Sequence, residues 1–153
     1  MAIFSIDGYE VTTRGQNGIV LGDVTIPIDS ILRAAVETNL LMRRINPMVV
    51  PEEGERNLLD ILQQTNVSTM ISEVFADLVC EFAGERIFRN PHEKGRPDIC
   101  AVTLDSKEFL SEQGWNGPNF PIGTTKDWRP YPFLGAEVKA TRSSKRHTKD
   151  MRE

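Results

Sequence analysis

Residues 94–102, KGRPDICAV, and residues 133–141, FLGAEVKAT, each place an acidic residue inside a short apolar run. Such runs are typical of β-strands, where a charge loses hydration unless another group pairs with it. The second run also carries Lys139, two positions after Glu137. Because residues i and i+2 of a strand point to the same face, these two side chains are predicted to project together. Whether Asp98 and this pair meet another side chain, a metal ion or a substrate decides the function.

The composition is typical of a soluble single domain. The chain has 153 residues, of which 39% are apolar and 26% are charged, and this length suits one hydrophobic core. No apolar run approaches the roughly 18 residues of a membrane-spanning helix, and the N-terminus lacks the pattern of a signal peptide. Cys80 and Cys100 lie in apolar stretches and match no zinc pattern, which predicts buried thiols. We therefore expect a cytoplasmic protein without membrane contact.

The charge is unevenly distributed along the chain. The net charge of −4 does not by itself indicate a nucleic-acid-binding protein. Residues 139–153 contain six Lys or Arg and two acidic residues, so the preceding 138 residues carry a net charge of −8. A basic tail on an acidic body is compatible with local contacts to phosphates, and equally with a solvated terminal helix.

Hydrophobic periodicity predicts two main helices followed by strands. Residues 31–45 form an amphipathic helix, with Asp29 or Ser30 as its N-cap. A second helix with a strong apolar stripe begins after Ser68 and stops at Gly84. Three short strands follow, within RIFRN, RPDICAVTL and FLGAEVKAT.

We predict one domain over residues 1–153, with three peripheral parts. Residues 1–28 are rich in β-branched residues and turn signals, which indicates a β-rich N-terminal arm. Residues 105–132 are rich in Gly, Pro, Asn and Trp and are predicted to form a long inserted loop, a kind that is usually functional or mobile. Residues 143–153 form a basic tail, predicted to be a polar helix.

The order of these elements resembles the PD-(D/E)XK nuclease superfamily, which includes many type II restriction endonucleases. Pro97-Asp98 resembles the PD half of its motif, and Glu137, Val138 and Lys139 resemble the ExK half. The resemblance covers about half of the chain and implies an α/β fold with a mixed sheet flanked by helices. Because the chain ends 14 residues after Lys139, it also implies an incomplete core, completed by the N-terminal strands or a partner, or a fragment of a longer enzyme.

The resemblance further implies a Mg²⁺-dependent endonuclease acting on DNA, with Mn²⁺ as a possible substitute metal. Asp98, Glu137 and the backbone carbonyl of Val138 would hold the metal, since hard oxygen ligands suit Mg²⁺. Such a metal polarises the phosphate and lowers the pKa of the attacking water. Lys139 would orient that water or stabilise charge on the phosphate.

A glutamate on the helix before the PD strand is another part of the resemblance. Many members carry such a glutamate on a helix closed by a glycine, and Glu73 before Gly84 resembles this arrangement. Glu73 would then ligate a second metal or a metal-bound water. On a helical wheel it lies opposite the apolar stripe, as ordinary exposed glutamates do, and Asp77 and Glu81 are rivals for its role.

Polar residues of the loop and tail are candidates for DNA contact, because Asn, Lys and Arg read base edges and bind phosphates. These candidates are Asn116, Lys126, Arg129, Arg142, Lys145, Arg146 and Lys149. Trp115 and Trp128 either stack on bases or pin the loop to the core. We expect the enzyme to act on DNA as a homodimer. The alternative is a non-catalytic DNA- or protein-binding α/β module.

Overall fold

A computed structural model describes residues 5–6, 9–10, 17–45, 62–91, 95–117 and 129–140. Over these residues the chain is a small mixed α/β protein. Its first elements are β1 (Ser5–Ile6), β2 (Tyr9–Glu10), β3 (Gly18–Leu21), β4 (Val24–Pro27) and α1 (Ile28–Ile45). They are followed by α2 (Gln64–Ala83), β5 (Ile87–Arg89), β6 (Ile99–Ala101), α3 (Lys107–Glu112) and β7 (Gly135–Ala136).

All the strand pairs among the described residues are antiparallel, where we expected a mixed sheet. β1 pairs with β2 and β3 pairs with β4, while β5, β6 and β7 form a three-stranded sheet with β6 in the centre. The β3–β4 hairpin turns at Gly22, whose φ of 63° suits a tight turn. In the described part of the chain this hairpin forms its own sheet and does not extend the three-stranded one.

The main core lies between the helices and one face of the three-stranded sheet. Ile26 of β4, Val79 of α2 and Ile99 of β6 are almost completely buried there. The two long helices are joined by the hydroxyl of Ser30, which donates to the carbonyl of Phe82 at 2.9 Å. Ser30 therefore links α1 to α2 from inside the first turn of α1, where the sequence predicted an N-cap.

A second, aromatic cluster covers the other face of the sheet. Its buried members include Phe88 of β5, Leu110 of α3 and Tyr131, whose hydroxyl donates to the carbonyl of Ala101 at 2.5 Å. The ring of Trp115 lies 5.4 Å from that of Phe88, centroid to centroid. Of the two roles considered for this tryptophan, its packing is that of a residue that pins the loop to the core.

Several elements differ from the sequence prediction, and α1 begins at Ile28, ahead of its predicted N-cap. α2 begins at Gln64, ahead of Ser68, because Val67 is buried and extends the apolar face by a turn. The stretch 105–132 contains α3, which was predicted as loop because a six-residue helix gives too little periodicity to recognise. Residues 118–128 and the basic tail lie outside the described residues.

The cysteines agree with the expectation of buried thiols. Cys80 and Cys100 are free thiols, half-buried and buried respectively. Burial raises the pKa of the Cys80 thiol to about 12 and also raises that of the Cys100 thiol, so neither is a ready nucleophile. Within the described part of the chain, no helix combines the length and apolar character needed to cross a membrane.

Candidate active site

Strands β6 and β7 bring Asp98 and Glu137 to the same end of the sheet. Ile99 pairs with Ala136, so continuing this register by one residue places Asp98 opposite Glu137. Ala136 and Val138 both pack on the core beneath α2, which leaves Glu137 between them on the opposite face. Because directly opposite residues of antiparallel strands share a face, the two carboxylates lie on one side of the sheet.

A side chain, not a neighbouring strand, holds the segment that follows β7. The backbone N–H of Val138 donates to the Oδ2 atom of Asp98 at 2.7 Å. If β7 continued, Val138 would lie opposite Pro97, the residue before Asp98. Pro97 has no N–H to donate, and its carbonyl already accepts from the Nδ2 atom of Asn90 at 2.9 Å. This is why β7 ends at Ala136, whereas a strand was expected over residues 133–141.

Glu137 lies between two positively charged side chains. The Nζ atom of Lys139 is 3.7 Å from its Oε2 atom, and a guanidinium nitrogen of Arg96 is 3.7 Å from its Oε1 atom. The side chain of Glu137 is 37% exposed, while those of Lys139 and Arg96 are 77% and 80% exposed. Glu137 and Lys139 thus project together, as their spacing predicts. Arg96, two residues before Asp98, was not among the predicted site residues.

α2 fixes the far end of residues 137–139, which resemble the ExK half of the motif and are called the ExK segment below. The backbone N–H of Ala140 donates to the Oγ atom of Ser72 at 3.0 Å. Together with the bond from Val138 to Asp98, this contact holds the amides on both sides of Lys139. No sequence pattern indicated Ser72, because its partner is 68 residues away.

The bend at residues 96–98, which resembles the PD half of the motif and is called the PD turn below, approaches β7 closely at Gly135. A Cβ atom at this position would lie 2.1 Å from the Cγ atom of Pro97 and 2.5 Å from the carbonyl oxygen of Ile99. Both distances are far below van der Waals contact, so this approach requires a glycine. The close approach keeps the segments that carry Asp98 and Glu137 side by side.

Glu73 has a different partner from the one that the sequence suggested. Its carboxylate forms an ion pair with Arg89, whose side chain is only 12% exposed. Arg89 pairs with Ile99, which packs on the core beneath α2, so Arg89 points to the helix side of the sheet. Asp98, next to Ile99, points to the other side. The structure therefore places Glu73 with Arg89 on the helix side, away from the face shared by Asp98 and Glu137.

An apolar cavity of about 200 Å³ adjoins the ExK segment. Its apolar walls come from the β3–β4 hairpin, α1, α2 and the sheet. Glu137 and Lys139 are the charged residues among the described ones that line it.

Of the candidate DNA-binding residues, the structure describes Arg129 and Asn116. Arg129 is engaged within the protein, because its guanidinium lies 2.6 Å from Glu112 and its amide donates to the Oε1 atom of Gln113. Asn116 is exposed. The residues outside the described part of the chain are Lys126, Arg142, Lys145, Arg146 and Lys149, together with Trp128.

The oxygen donors at this site are of the kind that Mg²⁺ prefers. Asp98 and Glu137 supply two carboxylates on one face, and Val138 lies beside them with a backbone carbonyl. Mg²⁺ usually keeps several waters and binds through one or two protein carboxylates plus substrate phosphates, so this donor set fits it. The described residues contain no group of three or more His, Cys, Asp and Glu arranged to hold a metal. A site here would therefore depend on two carboxylates.

Comparison with known proteins does not assign a family. No protein-family model, no curated protein and no solved structure significantly matches this chain. The function therefore has to be inferred from the residues of the site and their geometry.

Proposed function

We propose that this protein is a Mg²⁺-dependent endonuclease of the PD-(D/E)XK type, of the type II restriction class, that hydrolyses phosphodiester bonds in DNA. The observation that carries the proposal is the hydrogen bond from the Val138 amide to the Asp98 carboxylate, at 2.7 Å. This bond joins the PD turn to the ExK segment, so the two segments that resemble the halves of the motif meet in space. The order of α2, β5, β6 and β7 also agrees with the helix and three strands that the resemblance implies.

Asp98 and Glu137 would hold the metal ion. When bound, Mg²⁺ supplies a Lewis acid for a phosphate oxygen and lowers the pKa of water. The hydrogen bond to Val138 occupies part of only one oxygen of Asp98, and a carboxylate offers about four lone-pair positions. Asp98 therefore retains acceptor capacity for a cation while its orientation is fixed.

Lys139 would place positive charge and hydrogen-bond donors beside the phosphate. An ammonium group offers three N–H donors, which suit both an attacking water and a phosphate oxygen. Fixed positive groups that face developing negative charge stabilise the transition state of phosphoryl transfer. Hydrolysis adds one water across the P–O bond and leaves a phosphate monoester and a hydroxyl group.

Cleavage of a supercoiled plasmid tests this proposal. The wild-type protein should nick the plasmid with Mg²⁺ and stop when EDTA is present. Lys139→Ala should slow cleavage by about a hundredfold or more, the loss typical of removing one transition-state donor. Lys107→Ala removes an exposed lysine of α3 and should cleave like the wild type.

Three results of this assay would contradict the proposal. The wild type could fail to cut with Mg²⁺ or Mn²⁺, cut equally well in EDTA, or keep its rate in Lys139→Ala. Binding of DNA without any cleavage would instead favour a non-catalytic DNA-binding module. The homodimer stays a prediction, which sedimentation of the protein with and without DNA would check.

A further inference from the structure

We propose that Arg96 is a second phosphate-binding residue, which acts with Lys139 to hold one phosphodiester group across Glu137. The inference rests on the proposed function, because it takes the phosphodiester to be that of a DNA strand at the same site. It assigns a role to a residue that the sequence pattern did not indicate.

The two cations approach different oxygens of one carboxylate. Arg96 faces Oε1 of Glu137 and Lys139 faces Oε2, each at 3.7 Å. With Asp98 on the same face, the two cations and two carboxylates leave this site without net charge. A phosphodiester that pairs with Arg96 and Lys139 therefore replaces Glu137 as their counter-ion.

Neither cation is committed to Glu137. Charge-assisted hydrogen bonds between nitrogen and oxygen measure about 2.7–2.9 Å, so contacts of 3.7 Å are loose. Loose, exposed ion pairs contribute little to stability and exchange partners readily. By contrast, Arg86 lies 2.5 Å from Asp23 and Arg129 lies 2.6 Å from Glu112.

The backbone beside each cation is held while the side chain is exposed. Arg96 precedes Pro97, whose carbonyl is bonded to Asn90 and whose ring abuts Gly135. Lys139 lies between two residues whose amides are bonded to Asp98 and Ser72. Side chains that project from a fixed backbone lose less freedom on binding a ligand, which favours binding.

The chemistry of the two side chains is complementary. A guanidinium presents paired N–H groups that match two oxygens of one phosphate, while an ammonium acts as a compact point charge. A phosphodiester that engages both cations also takes them from Glu137. Glu137 then has its oxygens available for other partners.

Titration with dimethyl phosphate, a minimal phosphodiester, tests the inference without metal or cleavage. The backbone amide resonances of Val138 and Ala140 should shift saturably in the wild type. Arg96→Gln and Lys139→Gln should each raise the dissociation constant about fivefold, as expected for losing one unit charge about 4 Å away in water. Arg96→Lys should recover part of the affinity, and Lys107→Gln should bind like the wild type. Unchanged binding in Arg96→Gln would overturn the inference.

A competition arm distinguishes the possible sources of the phosphodiester. A short DNA duplex should displace dimethyl phosphate from the wild-type protein. Displacement by phosphatidylglycerol vesicles but not by DNA would point to a lipid headgroup and would overturn the inference.

Cleavage kinetics separate this inference from the proposed function. If the wild type cleaves DNA, Arg96→Gln should raise KM several-fold and change kcat little, because it removes binding of the phosphate in both ground and transition states. Unchanged KM would overturn the role of Arg96 and leave the nuclease proposal standing. The wild type could fail to cleave DNA while Arg96→Gln binds dimethyl phosphate more weakly than the wild type. That result would support the phosphate site and contradict the nuclease proposal.

Discussion

The amide of Val138 and the carboxylate of Asp98 are joined by a 2.7 Å hydrogen bond between residues 40 positions apart. Where β7 ends, this bond takes the position of a backbone hydrogen bond between strands. It makes the position of the ExK segment depend on Asp98 before any ligand binds. Asp98 therefore has a structural role in addition to the proposed catalytic one, and a substitution there changes both.

Ser72→Ala should impair cleavage by displacing Lys139. The substitution leaves the amide of Ala140 without its acceptor and should cost about 1–3 kcal/mol of folding stability if water does not replace the hydroxyl. We expect kcat to fall by about tenfold and KM to change little, since Ser72 would position the proposed catalytic Lys139 without contacting DNA itself. Single-turnover cleavage and urea unfolding would measure the two effects.

Thr69→Ala is the matched control for Ser72→Ala. It removes a hydroxyl from the same helix, but that hydroxyl donates only within the helix, to the carbonyl of Thr65. Ser72→Thr keeps a hydroxyl at the position and should restore part of the activity. An equal loss of kcat in Ser72→Ala and Thr69→Ala would show that Ser72 has no positioning role.

Glu73→Gln should weaken the fold more than it weakens the proposed metal site. Glu73 neutralises Arg89, which is largely buried and whose Nε atom has no hydrogen-bond partner. Because the Glu73 side chain is 59% exposed, we expect a loss of only about 1 kcal/mol. Urea unfolding would show this loss, and Mn²⁺ affinity should stay at the wild-type value. A large drop in Mn²⁺ affinity would instead support the role as a metal ligand that the sequence suggested.

The contact between Asp23 and Arg86 should make stability fall at low pH. The hydrogen bond from Arg86, aided by one from the Leu104 amide, lowers the pKa of Asp23 below its ordinary value of 3.8. A carboxyl group with a lowered folded-state pKa adds stability that is present above the unfolded-state value and is lost as the pH falls through the folded-state value. The contribution should therefore be constant near neutral pH and decline below 3.8.

A double-mutant cycle with Asp23→Asn and Arg86→Gln would measure this contribution. Urea unfolding at neutral pH should give a favourable coupling free energy between the two residues. The coupling should shrink as Asp23 is protonated in the acidic range. A coupling that is zero at neutral pH, or that stays constant down to the lowest pH at which the protein folds, would contradict the account.

The sequence was informative where the structural signal is local. The spacing of Glu137 and Lys139 predicted that they project together, and they form an ion pair. The amphipathic pattern predicted α1, which ends at Ile45 as expected. The apolar runs located β6 and β7, although β7 proved to be only two residues long.

The remaining site residues could not be predicted because their contacts are non-local. Ser72 acts on an amide 68 residues away, and no spacing rule covers such a pair. Arg96 reaches Glu137 only because the PD turn lies against the ExK segment. Glu73 was a candidate only through the resemblance, which contains no information on Arg89 in the adjacent strand.

Mn²⁺ binding, followed by electron paramagnetic resonance and competed with Mg²⁺, most directly tests whether Asp98 and Glu137 share one cation. We predict one site in the wild-type protein, whose affinity falls by at least about tenfold in Asp98→Asn and in Glu137→Gln, as for disruption of other metal sites. Glu112→Gln changes an exposed carboxylate that pairs with Arg129, and should leave this site intact. Binding that is absent from the wild type, or equally strong in all four proteins, would contradict the account.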